Sequence, residues 1–230
     1  MNDLPQSLFT NPIWHALQSM HRRFALSAGA ARRYCPDVAP FASVAAPTAD
    51  ALTQLHLLLA PEESFWVIGD TWPGTPLLRV AETLPCLQMM RSLEGATLTA
   101  SANLLRLGPA DIPEMIALTD HAFPGFFRAR TLEMGSYYGV RIGGDLVAMG
   151  GERLLLDGYP EISGVCTHPG HRGKGFAADI IGQLTEDHRR AGLLSWLHVG
   201  VANTHAVELY RRLEFQVIRK VTFNRLVHAA

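Results

Sequence analysis

Apolar and polar positions alternate most regularly in the second half of the chain, where their spacing predicts strands and helices. Two alternating runs, 137–142 and 146–155, flank Gly143-Gly144. A Gly-Gly pair between such runs is a hairpin signal, so the two strands are expected to pair antiparallel. A helix is predicted over 175–191, because apolar residues recur there on one face at helical spacing.

The other elements predicted in this half are strands at 104–107, 161–167 and 195–201, a helix opening near Asp111, a helix over 204–213 and a final strand or hairpin reaching Val227. The order of these elements predicts an α/β (α+β) protein. It is expected to have a mixed sheet with helices on both faces.

The first 100 residues differ in composition and pattern, since they are rich in alanine and proline and contain short apolar runs. The pattern there predicts helices over 12–28 and 50–59, and apolar strands over 64–68 and 86–90. No cluster of residues in this part suggests chemistry. It is therefore interpreted as a structural or substrate-shaping region.

This change in composition and pattern predicts a domain boundary near residues 95–103. We expect an N-terminal α/β region of residues 1–100 and a second domain of residues 103–230. The linker, 92–97, is short and only weakly loop-like, which allows the two parts to pack together.

Composition narrows the possible partners and surroundings. Twenty basic and 21 acidic residues give a net charge of -1, which disfavours nucleic acid and an anionic membrane surface as partners. Three cysteines in no metal-like spacing predict neither a disulfide framework nor a metal site. The N-terminus lacks a secretory pattern and no apolar stretch approaches the roughly 20 residues of a membrane span, so a cytoplasmic location is expected.

The most informative segment is a basic, glycine-rich turn between an apolar strand and a helix. It reads Arg172-Gly173-Lys174-Gly175-Phe176-Ala177. Free amides at a helix start can bind a pyrophosphate, glycines let the backbone come close, and the arginine and lysine add positive charge. The turn therefore predicts a phosphate-binding site, although an ordinary turn with surface charges remains the alternative.

Two other phosphate motifs fit this turn less well. A P-loop needs serine or threonine after its Gly-Lys pair, whereas Gly175 and Phe176 follow Lys174. The spacing Gly173-x-Gly175-x-x-Ala178 matches a relaxed dinucleotide fingerprint. However, residues 198–201, at the end of the next predicted strand, include no acidic residue that would bind the ribose. An NAD-binding oxidoreductase is therefore disfavoured.

Two motifs resemble those of the Gcn5-related N-acetyltransferase (GNAT) superfamily. The turn is similar to its Arg/Gln-x-x-Gly-x-Gly/Ala loop, and 203–215 is similar to its Asn-x-x-Ala-x-x-Leu-Tyr-x-x-x-Gly-Phe motif, with Glu214 in place of the glycine. The sequences of residues 161–169 and 197–199 resemble those of the FR47-like branch, which includes glycine N-acyltransferase-type proteins. The resemblance covers about 103–228. In that family an N-terminal portion can be a degenerate copy of the fold, and residues 1–100 are a candidate for one.

The resemblance implies how a coenzyme would bind. The sheet would splay between two parallel strands, 161–167 and 195–201, and acyl-coenzyme A, with acetyl-coenzyme A favoured, would lie in the gap. The backbone of Val165, Cys166 and Thr167 would pair with the pantetheine and polarise the thioester carbonyl. Asn203 would bond the pantetheine amide, although a helix N-cap at this position needs no ligand.

The resemblance also implies two catalytic residues. Glu161 matches the position of the base in several relatives, with a paired or surface carboxylate as the alternative and Glu152 as the reserve candidate. Tyr210 lies where the family keeps the proton donor to the coenzyme sulfur, although it also lies on the apolar face of its helix and a packing role is possible. The expected acceptor is a small amine or amino acid.

The acceptor pocket and two histidines complete the set of candidates. Pocket residues are suggested by the family at Phe126, Phe127, Tyr137 and Tyr138, with core packing as the equal alternative. His168 and His171 flank the turn but lack a third ligand, so a loop role is favoured over a metal site. The leading hypothesis is an N-acetyltransferase, and the alternative is a noncatalytic acyl-coenzyme A sensor. The oligomeric state is not predicted.

Overall fold

The computed structural model describes residues 5–69, 72, 75–98 and 103–229. The helices are α1 (Gln6–Thr10), α2 (Pro12–Gln18), α3 (Ala49–His56), α4 (Ile112–Asp120), α5 (Phe176–Arg190) and α6 (Thr204–Arg212). The strands are β1 (Ala25–Ala28), β2 (Ala31–Tyr34), β3 (Ala42–Val44), β4 (Phe65–Ile68), β5 (Leu78–Arg91), β6 (Leu105–Arg106), β7 (Tyr137–Ile142), β8 (Asp145–Leu156), β9 (Tyr159–Thr167), β10 (Trp196–Gly200) and β11 (Phe215–His228). None of the helices in these ranges could cross a bilayer.

The central feature is an eight-stranded mixed sheet with the order β4-β11-β5-β10-β9-β8-β7-β6. Neighbouring strands pair antiparallel, except that β9 and β10 run parallel. A separate antiparallel sheet has the order β1-β2-β3. The predicted mixed, mostly antiparallel sheet is confirmed.

Helices cover both faces of this sheet because side chains along each strand alternate between two cores. On β10, Trp196 faces a core that includes residues of α1 and α2, and the next residue, Leu197, faces a core built with α5 and α6. Helix α4 contributes to a further core against β7 and β8. The predicted layered arrangement is therefore confirmed.

The predicted hairpin between β7 and β8 is confirmed. Ile142 pairs with Asp145, so Gly143 and Gly144 form the two-residue turn. Their φ angles are +64° and +100°, a left-handed region that glycine reaches without the steric cost borne by other residues.

The structure differs from the prediction of one long helix over residues 12–28. The predicted helix over 12–28 ends at Gln18, and the chain turns through a short 3₁₀ segment, Arg22–Phe24, before it enters β1. The three strands of the small sheet have only three or four residues each. Runs this short do not show a clear alternation, which is why the sequence pattern did not identify them.

The large sheet includes strands from both sides of the predicted boundary. Strand β5 contains the predicted strand 86–90 and lies between β10 and β11, and β4 pairs with the outer side of β11. Residues 99–102, in the middle of the predicted boundary at 95–103, lie outside the described residues. The division into residues 1–100 and 103–230, and the degenerate-copy interpretation of the first part, stay predictions.

Gly151 on β8 is expected to be intolerant of substitution. A Cβ atom there would lie 2.3 Å from the ring of Tyr137, which is buried, and 2.6 Å from the backbone oxygen of Ser136. We expect Gly151→Ala to lower the free energy of unfolding by about 1–3 kcal/mol, because neither neighbour is the free end of a flexible chain. Urea denaturation measures this, with Gly108→Ala as the control, since a Cβ at Gly108 meets nothing within 4 Å. Equal effects of the two substitutions would contradict the steric argument.

Candidate active site

The parallel strands β9 and β10 separate shortly after they meet. They pair at Glu161 with Trp196 and at Ile162 with Leu197, and beyond these residues β9 pairs with β8 alone. Gly164, with a φ of +65°, lies just past this point. The backbone of residues 163–167 therefore turns one edge toward a gap in the sheet, as expected for a splayed pair.

Val165, Cys166 and Thr167 lie on this open edge, where the resemblance placed them. Cys166 pairs with Met149 of β8 and is buried. Burial raises the pKa of its thiol to about 12, so the thiol stays protonated at neutral pH. This supports a role for the backbone of this segment rather than for the sulfur. Cys35 and Cys86 also carry free thiols.

A cavity of about 240 Å³ occupies the gap. Val165, Asn203 and Tyr210 line it together with Arg153 and His198. The other lining residues are mostly apolar, namely Leu84, Cys86, Phe123, Phe126, Phe127, Thr131, Tyr137, Ile162, Ser163, Gly164, Val199, Gly200, Ala206 and Phe223. The cavity therefore joins predicted coenzyme-binding residues to predicted acceptor-pocket residues.

The glycine-rich turn adopts the conformation expected of an anion site. Gly173 and Gly175 have φ angles of +77° and +84°, and Gly175 is the N-cap of α5. Arg172 donates from Nε to the backbone oxygen of Thr167 at 3.4 Å, and Lys174 Nζ lies 3.4 Å from His171 Nδ1. Neither cation pairs with a carboxylate in the described part of the chain. Their charges are thus available to a ligand.

The two residues that follow begin α5, with Phe176 packed at the edge of the core built by α5 and α6 and Ala177 half-buried. The first amides of a helix have no acceptor within the helix. The turn therefore combines free amides with two unpaired cations.

Tyr210 on α6 lies in the cavity wall with its ring against Phe215, at 5.8 Å between ring centroids. Burial raises the pKa of its phenol to about 12. Its hydroxyl bonds to no side chain or backbone group among the described residues. The packing role and the proton-donor role predicted for this residue are both compatible with its position.

Asn203 is the N-cap of α6, and its Oδ1 accepts from the backbone N–H of Ala206 at 3.2 Å. The residue also lines the cavity. The capping role is therefore confirmed, and the predicted bond to a coenzyme amide stays a prediction.

Glu161 is fully buried and makes four hydrogen bonds. Arg153 donates to it from Nε at 3.0 Å and from Nη2 at 2.6 Å, and the backbone N–H of Leu154 donates at 3.1 Å. His198 Nδ1 lies 2.6 Å from Oε1. Burial by itself raises the pKa of this carboxyl, but Arg153 and His198 outweigh it and lower the pKa to about 2.

These contacts favour the paired-carboxylate interpretation of Glu161 over the proton-acceptor interpretation. An efficient general base has a pKa near the working pH and a free lone pair, and Glu161 has neither. The reserve candidate, Glu152, bonds to His188 Nε2 at 2.7 Å and to the backbone N–H of Ser136 at 2.7 Å. Glu152 is not among the residues that line the cavity.

Arg153 and His198 are two polar cavity residues to which sequence reasoning assigned no role. His198 bonds to Glu161 through Nδ1, its Nε2 lies 3.1 Å from Gln88 Nε2, and burial lowers its pKa, so the ring is neutral. The available signal was the presence of polar residues inside apolar strands. Arg153, Glu161 and His198 interrupt three such strands, and β8, β9 and β10 are adjacent in the sheet.

The aromatic residues suggested for the acceptor pocket divide between two places. Phe126, Phe127 and Tyr137 line the cavity. Tyr138 does not, because neighbouring residues of a strand point to opposite faces. Its hydroxyl donates instead to Asp187 Oδ2 on α5 at 2.6 Å.

His168 and His171 occupy the loop before the turn. His168 Nδ1 accepts from the backbone N–H of Gly170 at 3.2 Å, which is a loop-stabilising contact. Among the described residues there is no group of three or more histidine, cysteine, aspartate or glutamate side chains that could hold a metal ion.

Acetyltransferases of known structure share this fold. A GNAT-family acetyltransferase structure from Novosphingobium aromaticivorans is 31% identical over 99% of this chain and 100% of its own, with a TM-score of 0.88. The GCN5-related N-acetyltransferase of Kribbella flavida is 19% identical over 100% of this chain and 97% of its own, with a TM-score of 0.63, and shares the fold. No curated protein matches the sequence.

The chain belongs to the GNAT family of acetyltransferases. Within that family, residues 137–224 match the model of the FR47-like proteins, which places the chain in the FR47-like branch. The matched range contains β7 to β10, the glycine-rich turn and α6. It therefore includes every predicted catalytic and coenzyme-binding residue.

Proposed function

We propose that this protein is an N-acyltransferase that moves an acetyl group, or another short acyl group, from acyl-coenzyme A to a primary amine by direct attack. The observation that carries the proposal is the Tyr210 hydroxyl. It belongs to a buried phenol with a raised pKa, it has no partner among the described residues, and its ring lines the cavity between the diverging strands. A protonated phenol in the cavity wall can donate a proton to a thiolate as it leaves.

The residues of the gap and the turn fit the coenzyme that this family membership implies. Arg172, Lys174 and the free amides of the turn would hold the pyrophosphate, with Gly173 and Gly175 allowing close approach. The open edge of β9 at 165–167 and the side chain of Asn203 would bond the pantetheine. When bound, the coenzyme supplies the reactive thioester.

The residues of the site would then each have a defined role in the transfer. Backbone N–H groups on the open edge of β9 would stabilise negative charge as it develops on the acyl oxygen. The neutral amine would attack the thioester carbon, so that the N–C bond forms and the C–S bond breaks. Tyr210 would give its O–H proton to the departing sulfur, and its phenolate would regain a proton through water as the attacking nitrogen loses one. Water in the cavity would take the proton of the acceptor ammonium, because the carboxylates of Glu161 and Glu152 are already committed. Glu161 would instead hold Arg153 and His198 in place.

The proposed acceptor is a small amine or an amino acid, and the proposed location is the cytoplasm. The near-neutral charge of the chain supports a small-molecule acceptor rather than a nucleic acid or a membrane surface.

Calorimetric titration with acetyl-coenzyme A, free coenzyme A and NAD tests the first requirement of this proposal. Micromolar binding of acetyl-coenzyme A without NAD binding is expected. Thiol release in the presence of a panel of amines then tests transfer. Binding without thiol release from any amine would support the noncatalytic sensor, and binding of NAD alone would overturn the proposal.

Arg172→Glu is expected to weaken acetyl-coenzyme A binding by about 10- to 100-fold, because it replaces a phosphate-binding guanidinium with a repelling carboxylate. The same titration measures this. Arg79→Glu on β5 makes the same charge change at an exposed position away from the turn and should bind as the wild type does. Equal affinities of the two variants would remove the role of Arg172.

A further inference from the structure

We propose that the acceptor is a primary amine with a carboxylate close to its nitrogen and an apolar body, as in an apolar α-amino acid, and that Arg153 binds this carboxylate. The inference rests on the N-acyltransferase activity proposed above and specifies its substrate class. It is based on the Arg153 guanidinium, of which one edge is hydrogen-bonded within the protein and the other is not.

One edge of the guanidinium is fully bonded within the protein. Nε and Nη2 donate to the two oxygens of Glu161, and one face of the group lies 4.8 Å from the ring centroid of Phe41. Glu161 is itself held by Leu154 and His198. The orientation of Arg153 is therefore set before any ligand arrives.

The other edge has no partner. Nη1 bonds to no group in the described part of the chain, and Arg153 lines the cavity with 14% of its side chain exposed. Nη1 and the second hydrogen of Nη2 form a fork that matches the two oxygens of a carboxylate. A largely buried donor pair without an acceptor is unfavourable, so an anionic group is the ligand that this edge suits.

The charge of the cavity wall agrees with this assignment. Arg153 is the one charged residue among those that line the cavity, because His198 is neutral. Glu161 already balances the charge of Arg153, so the free edge offers unused hydrogen-bond donors rather than excess charge. A carboxylate can accept from both Nη1 and Nη2, whereas a simple alkylammonium ion has no acceptor for them.

The rest of the cavity wall favours an apolar body. Phe126 packs against Phe41 and Trp66, at 5.9 and 5.6 Å between ring centroids. Phe127 and Phe223 also contribute to the wall. Aromatic walls with one anchoring charge select a ligand by an apolar group and a single polar contact.

The wild-type protein tests the substrate class directly. Alanine, leucine and phenylalanine are each offered as the free acid, the carboxamide and the decarboxylated amine, and thiol release from acetyl-coenzyme A gives kcat/KM. We expect the best free acid to exceed its amide and its amine by about 10- to 100-fold, the range for a hydrogen-bonded charge. An α-amide makes its amine less basic, so intrinsic availability of the neutral amine works against this expectation.

Arg153→Lys tests the assignment to Arg153. Lysine keeps a positive charge opposite Glu161 but lacks the second edge of the fork, so the acid-to-amide ratio is expected to fall about tenfold. Acetyl-coenzyme A titration of the variant checks that it is folded. If the variant does not fold, the wild-type ratios alone decide the substrate class.

The possible failures can be told apart. Amides or amines that react as well as the acids would overturn the inference and leave the N-acyltransferase proposal standing. An acid preference that survives Arg153→Lys unchanged would overturn the role of Arg153. Absence of thiol release with every compound would overturn the proposed function and the inference with it.

Discussion

Replacing Glu161 with glutamine is expected to lower the free energy of unfolding by about 3–5 kcal/mol at pH 7, although the substitution keeps the size of the side chain. Glu161 is fully buried and balances the charge of Arg153. Without the carboxylate, the guanidinium would remain in the interior without a counter-ion. Urea denaturation of wild type and variant measures the difference.

A double variant separates the charge effect from a general effect of mutation. Arg153→Met together with Glu161→Gln removes both charges, and replacing a buried pair as a whole is often close to neutral. The double variant should therefore be more stable than Glu161→Gln alone. A double variant that is less stable than the single one would contradict this account of the pair.

The pH dependence gives a second test of the same pair. The pKa of Glu161 in the folded state, about 2, lies below its ordinary value of 4.5. The unfolded chain therefore binds this proton first as pH falls, so the contribution of Glu161 is present above pH 4.5 and is lost toward pH 2. The stability difference between wild type and Glu161→Gln should shrink across that interval, and a constant difference would contradict the assignment.

Replacing Tyr210 with phenylalanine is expected to lower kcat by about 100-fold or more, because the proton donor to the departing sulfur is lost. Affinity for acetyl-coenzyme A and stability toward urea should change little, since the hydroxyl bonds to nothing else among the described residues. Thiol-release kinetics, calorimetry and denaturation measure the three quantities.

Tyr138→Phe is the matched control for this substitution. Its hydroxyl bonds to Asp187 and lies outside the cavity, so its loss should cost about 1 kcal/mol of stability and leave kcat near the wild-type value. If the two variants were slowed equally, the proton-donor role of Tyr210 would be wrong.

Local patterns predicted the second half of the fold well because its elements are regular. The hairpin at Gly143-Gly144 and the helix at 175–191 correspond to structure within a residue or two, since a turn pair and a helical period are properties of neighbouring residues. The three short strands between residues 25 and 44 carry no such period, and the prediction of a helix to residue 28 was wrong.

The candidate site was predictable where it lies in one continuous motif. The turn at 172–177 and the helix containing Tyr210 are each read from adjacent residues. The cluster of Arg153, Glu161 and His198 depends instead on which strands are neighbours. Periodicity shows which way a side chain points but not what it meets, so Glu161 was interpreted without its partners.

The place of β4 and β5 in the sheet has a consequence for the order in which the chain acquires structure. Strand β4 has β11 as its partner in the large sheet, and β5 lies between β10 and β11, so strands made early depend on residues 196–228 for their pairing. The paired residues lie from 106 positions apart, for Met90 and Trp196, to 161 positions apart, for Phe65 and Leu226. Long-range pairing of this kind slows folding. Until β11 emerges from the ribosome, β4 and the apolar residues of β5 lack this partner, and unpaired strands of this kind are open to aggregation and to chaperones.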